Sequence, residues 1–148
     1  MEEYFIAKLN GRNEVPPVNS EAFGVAKFVV NKHCTKIKFI LKVDNIRNFV
    51  QAHIHFGGRG ENGPVLAFLF GADLATLTEQ NGISTRKGIV RGVITDEDIV
   101  RNNVGVKDVE DLVRLMKKEL TYVNVHTEQN PGGEIRGQIK PLYRDCCY

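Results

Sequence analysis

Apolar and polar residues alternate along most of the chain. A period of two is the signature of strands, whose successive side chains point to opposite faces. The clearest run lies within Thr35–Asp44, where Ile37, Phe39, Leu41 and Val43 share one face and Lys36, Lys38 and Lys42 share the other. That pattern predicts a strand with one buried side and one solvated side. Further strands are expected at Tyr4–Leu9, Phe23–Asn31, Val50–Phe56, Pro64–Phe70, Lys87–Ile94, Leu120–Thr127 and Glu134–Lys140. Pro64–Phe70 is apolar on both faces, as a strand covered on two sides would be. Turn chemistry separates these runs at Asn10-Gly11, Pro16-Pro17, Asn31-Lys32-His33, Asn62-Gly63-Pro64, Asn81-Gly82 and Asn130-Pro131-Gly132-Gly133.

Two helical pieces interrupt the alternation. Thr95-Asp96-Glu97-Asp98 has the form of a capping box and opens one short turn. In Asp108–Lys118, Val109, Leu112, Val113 and Met116 recur at helical spacing, with acids at the start and Lys117-Lys118 at the end, as the helix dipole favours. Many short strands with frequent turns predict an all-β, mainly antiparallel fold: a Greek-key sandwich or barrel with one or two short helices. The domain is expected over residues 1–142, with 143–148 as a short tail.

The same alternation places the histidines. In Gln51-Ala52-His53-Ile54-His55-Phe56, His53 and His55 share a face, and Ala52, Ile54 and Phe56 take the apolar one. In Tyr122-Val123-Asn124-Val125-His126-Thr127 the valines face the core, so His126 points the other way with Asn124 and Tyr122. Glu134, Arg136 and Gln138 are expected outward on the next strand. Counting across a hairpin puts His126 opposite Glu134 and Asn124 opposite Arg136, unless a bulge in the Gly-rich loop shifts the register. Glu134 could then orient His126 or act as a fourth ligand. Two imidazoles at i and i+2 plus a third from a distant strand suit one divalent ion, zinc or copper before others. Glu14, beside Pro16-Pro17, could reach the histidine face from a loop. Arg59 and Glu61 could rim it.

Composition narrows the rest. The chain has 148 residues, enough for one domain with a sizeable core, and a formal charge of +2, too mild to argue for nucleic acid. No apolar run is long enough to span a membrane as a helix. Met1-Glu2-Glu3 is acidic where a signal peptide would be basic, which gives a cytoplasmic expectation. Cys34 stands alone and Cys146 and Cys147 are adjacent. An odd count without a CxxC spacing predicts free thiols, with an intermolecular disulfide through Cys146 or Cys147 as the alternative. Ser20 and Ser84 lie in no nucleophile-elbow context, and Gly57-Gly58-Arg59-Gly60 does not follow the strand-to-helix context of a phosphate loop.

Three segments resemble the CHRD domain, named after chordin. They are Leu9-Asn10-Gly11-Arg12-Asn13-Glu14-Val15-Pro16-Pro17-Val18, then Ala52-His53-Ile54-His55 with Gly60-Glu61-Asn62-Gly63-Pro64-Val65, then Tyr122–Thr127 with Asn130–Gln138. They span nearly the whole chain in family order. The resemblance implies an immunoglobulin-like sandwich or barrel, a biochemically undefined role, and a cell-surface or extracellular setting as the alternative to the cytoplasm. A fainter resemblance is to the copper–zinc superoxide dismutase barrel, where His53, His55 and His126 could fill three copper-ligand places. No histidine stands in the place of the bridging ligand, and no His and Asp set between residues 57 and 86 could hold zinc. Three functions follow: a non-catalytic divalent-metal domain, a metal-free protein-interaction or surface-structural module, and a mononuclear dismutase-like enzyme. The sequence favours the first and leans away from catalysis.

Overall fold

A computed structural model describes residues 1–71 and 83–143. The Asn81-Gly82 turn falls outside them, as do Cys146 and Cys147. The strands are β1 (Glu3–Asn10), β2 (Phe23–Val30), β3 (Lys36–Phe56), β4 (Val65–Phe70), β5 (Ile83–Thr95), β6 (Thr121–Thr127), β7 (Ile135–Gln138) and β8 (Lys140–Pro141). One helix, α1 (Val109–Lys117), lies between β5 and β6. The pairing is antiparallel, in the order β2-β1-β7-β6-β3-β4, and a further β2–β3 pairing closes the sheet into a barrel. β5 adds to β3, and β8 to β1.

The strand that organises the barrel is β3. The sequence reads as two strands here, Thr35–Asp44 and Val50–Phe56, but the chain runs through as one of 21 residues. Its first half pairs with β2 and β5, and its second half with β6 and β4. The passage between them is bent at Asn45 and Asn48, both in the left-handed region at φ 53° and 54°. Asparagine tolerates that conformation better than most side chains. The ladders to β5 and β6 slip at the same place.

The slip has a consequence for side-chain direction. In the first half the odd positions Ile37, Phe39, Leu41 and Val43 are buried; in the second half the even positions Ala52 and Ile54 take over in the same core. An extra residue in a ladder reverses which face the following residues take. Had the alternation run on unbroken, His53 and His55 would point into the hydrophobic core.

α1 forms as its pattern predicts. The Asp108 side chain caps it by accepting from the Asp111 amide at 2.8 Å, and Val109, Leu112, Val113 and Met116 are all buried in the barrel's core. Lys117 reaches Glu3 at 3.0 Å, and the Val109 amide donates to Asp96 Oδ1 at 2.9 Å, so the helix covers the end where β1 begins and β5 finishes. The capping box at Thr95 is present and opens a single 3-10 turn, Asp96–Asp98.

Candidate metal centre

The second half of β3, β6 and β7 carry the site on the face away from the core. The ladders set His55 beside Tyr122 and Tyr122 beside Gln138; one step along, His53 beside Asn124 and Asn124 beside Arg136; then Gln51 beside His126. The three imidazoles meet. Each offers a nitrogen within 4.8 Å of the others, and His53 Nδ1 lies 3.1 Å from His126 Nε2. The two rings are in hydrogen-bond contact there, which uses His53 Nδ1 and leaves its Nε2 as the nitrogen without a partner.

The rings are held from behind. His55 Nδ1 lies 2.8 Å from the Gly63 carbonyl, and His126 Nδ1 lies 2.8 Å from the Pro131 carbonyl. A carbonyl can only accept, so both Nδ1 atoms carry the proton and both Nε2 atoms keep a lone pair. Metal-binding histidines are oriented in this way. His53 is wedged edge-on against Phe68, and His55 stacks on Tyr122 with ring centres 4.9 Å apart and planes 4° apart. Nε2 of His53 and Nε2 of His55 are buried and have no hydrogen-bond partner. A buried polar atom without a partner is uncommon and calls for an explanation. His126 Nε2 also lies 3.0 Å from Asn124 Oδ1, so a lone pair and a carbonyl oxygen face one another there unless a cation joins them or the amide is turned over.

Burial makes the cluster neutral. Desolvation, followed by repulsion from His126 and His55, lowers His53 to a pKa of about 3. His55 falls to about 4, again chiefly through burial, and His126 is lowered for the same reason. Three neutral imidazoles near pH 7 suit a borderline-soft divalent ion, which needs unprotonated nitrogen.

The loops that roof this face were read from sequence as plain turns. Arg136, only 2% exposed, does not face solvent as an outward strand position would. It donates to Asn62 Oδ1 at 3.0 Å, Gly58 O at 2.9 Å and Glu61 O at 2.6 Å, and lies over the Tyr122 ring at 3.5 Å. It is a strut pinning residues 58–62 over the sheet. Gln138 holds Gly57 O at 2.8 Å, and the Gly63 amide donates to the Tyr122 hydroxyl at 3.1 Å. A side chain at Gly63 would run into the Phe56 carbonyl, so only glycine lets this loop come close enough to offer its own carbonyl to His55. Arg59 and Glu61 are exposed at the rim.

Glu14 does arrive at this face. It is 4% exposed and lies beside Asn124 at Gly133, with Oε1 lacking a hydrogen-bond partner. Burial raises its pKa to about 7, against the opposing pull of Arg136. Asn124 thus sits between Glu14 and His126. Gly133, at φ +123°, makes room for this contact, since a Cβ there would lie 2.5 Å from Glu14 Oε1 and 2.7 Å from Asn124 Nδ2.

Glu134 does not join the histidines. The counted register holds, with Asn124 opposite Arg136 and Val125 opposite Ile135. Glu134 lies just before β7 and directly after the left-handed Gly133, so its side chain leaves the strand's alternation. It accepts instead from Thr127, Gln129, Asn130 and Ser20 at 2.8–2.9 Å. Burial alone would raise this carboxyl, but those four donors outweigh it and hold the pKa below the usual value. Its role is to fasten the β6–β7 loop that carries Pro131.

No curated protein matches the chain. The CHRD domain model matches residues 5–139, a span that contains the three histidines, Asn124, Arg136, Glu14 and both roofing loops. With nearly its whole length matched, the chain belongs to the CHRD domain family.

Proposed function

We propose that the domain binds one divalent metal ion, zinc or copper, through His53, His55 and His126, without itself being a catalyst. The observation that carries this reading is the way the imidazoles are prepared. Two have Nδ1–H fixed on backbone carbonyls, and Nε2 of His53 and of His55 are buried without partners beside His126. A metal-free hydrogen-bonded surface would satisfy those nitrogens instead of leaving them bare. Asn124 Oδ1, 3.0 Å from His126 Nε2, is an oxygen that could complete the ligand set.

The test is elemental mass spectrometry of untagged protein, beside His126→Gln and a His53/His55/His126 triple-alanine variant. Near-stoichiometric metal in the parent, reduced in the single variant and lost in the triple, is the expected result. No metal as purified, together with no uptake on titration with zinc or copper, would remove the proposal and leave a metal-free interaction module. The element found separates a structural zinc from a redox-active copper.

A further inference from the structure

The outer face of the sheet formed by β1, β2, the first half of β3 and β5 is built on a regular mixture. The ladders align Ile6, Lys27, Ile40 and Arg91 in one row across the four strands. The row on one side is Lys8, Val25, Lys42 and Ile89; that on the other runs from Tyr4 through Val29 and Lys38 to Val93. Each cation is therefore flanked by aliphatic side chains along its row. Lys8, Lys27, Lys38, Lys42 and Arg91 are all exposed, and no acid occupies any of the three rows. The acids on this face stand at its two edges: Asp44, one row further on, and Glu2, whose carboxylate accepts from the Tyr4 hydroxyl at 3.0 Å. None of the three ion pairs among the described residues engages these five cations.

The molecule as a whole carries only +2, so five unopposed cations on one face reflect a segregation of charge. The apolar half of the pattern is exposed as well: Ile89 is 58% and Val93 48% exposed. An open groove of about 750 Å³ runs over this face between Lys27, Val29, Lys38, Ile40, Arg91 and Val93. Exposed aliphatic side chains gathered in one patch mark a surface that meets a partner.

We infer that this face docks on an anionic lipid bilayer surface. Four strands at ~4.8 Å spacing spread the cations over roughly 14 Å, which suits a plane of many anionic headgroups better than one bound anion. Nucleic acid or a sulfated glycan would use the cations and leave the interleaved Ile and Val idle. At a bilayer surface, Lys and Arg meet headgroup phosphates while the aliphatic residues between them bury shallowly. The reading is independent of the histidine cluster, which lies on the other half of β3.

Flotation of the full chain with phosphatidylcholine vesicles, with and without phosphatidylserine, tests it. The expected result is association only where phosphatidylserine is present, falling steeply with added salt. The Lys27→Glu, Lys38→Glu, Arg91→Glu variant should bind more than about a hundredfold more weakly, since loss of each cation alone costs about 1 kcal/mol at such a surface. Lys27→Gln, Lys38→Gln, Arg91→Gln repeats the test without placing acids on the sheet. Ile89→Ser, Val93→Ser should weaken binding while leaving its salt dependence in place. Circular dichroism and thermal melting of each variant confirm the fold. Equal binding to pure phosphatidylcholine, or phosphatidylserine binding that survives loss of the three cations, would overturn the inference. So would capture by polyglutamate without vesicle binding, which would assign the face to an acidic protein.

Discussion

In the first half of β3 the side chains turned from the core include Lys36, Lys38 and Lys42, and all three stand in water. In the second half they include His53 and His55, and both are buried. The strand is continuous and its alternation of polar and apolar residues is similar in both halves, so the difference lies in what covers the face. β5 and β2 flank the first half and leave its outer side bare. The second half lies under residues 57–64, Glu14 and the Pro131–Gly133 turn, which bring backbone carbonyls and amides to the polar side chains. A wet polar face tolerates substitution because water replaces whatever is lost. A roofed one does not, because every polar atom there depends on a specific partner.

The largest expected effect breaks the roof. Arg136→Ala removes a buried cation and leaves the acceptors Gly58 O, Glu61 O and Asn62 Oδ1 without their donor. Loss of about 3 kcal/mol of unfolding free energy is expected, in the range for a broken buried charged network. Lys38→Ala, on the bare half of the same barrel, should stay within about 0.5 kcal/mol of the parent. Urea denaturation of the two variants measures the contrast directly. Equal effects would mean that the loops contribute little to holding the site.

A pH series sharpens the comparison, because among the described residues the groups with large shifts, His53, His55 and Glu14, all belong to the roofed half. His53 and His55 have folded pKa values near 3 and 4, below the ordinary 6.5. Their contribution to stability is complete above pH 6.5 and is lost as pH falls toward 4, since the unfolded chain takes up protons that the folded one refuses. Glu14 works the other way. Its folded value of about 7 lies above the ordinary 4.5, so its stabilisation is present below 4.5 and lost as pH rises through 7. Between pH 7.5 and pH 5, in chelator, the two imidazoles together should remove about 4 kcal/mol and Glu14 should offset about half of it. Glu14→Gln should therefore steepen the fall in the denaturation midpoint on acidification. A slope unchanged by that substitution would show that Glu14 is not buried at this face.

These effects mark where the sequence is legible and where it is not. Local alternation identified the faces of β2, of the first half of β3 and of β6, and helical spacing found α1 with its Asp108 cap, because each depends on neighbours a few residues apart. The histidine cluster was visible for the same reason. What covers it depends on residues far away in the chain: Arg136 tied to residues 58–62, Glu14 against Asn124, and two carbonyls from separate turns. Asn62-Gly63-Pro64 and Asn130-Pro131-Gly132-Gly133 announce turns clearly, but nothing in them says that their carbonyls will meet an imidazole. Glu134 was misplaced because simple counting assumes a regular strand up to a residue that follows a left-handed glycine. The two halves of β3 looked separate because a two-residue departure into the left-handed region reads in sequence as a loop.

That departure supports the smallest of the expected effects and the one that joins the two halves. Asn45 is exposed, at φ 53°, and the reversal of facing between Val43 and Ala52 depends on the bend it belongs to. Asn45→Gly keeps the conformation accessible and should leave stability near that of the parent. Asn45→Val places a β-branched side chain where its Cβ crowds the following carbonyl, and should cost about 1–2 kcal/mol. If the strain is absorbed locally, denaturation registers that loss while metal uptake by His53, His55 and His126 is retained. If the bend instead straightens, the second half of β3 shifts by a residue, His53 and His55 turn together toward the core and away from His126, and uptake falls along with stability. Measuring both on one variant therefore separates a strained bend from a broken one. A valine variant as stable as the glycine one would show that Asn45 does not set the phase, leaving Asn48 as the residue that turns the histidines outward.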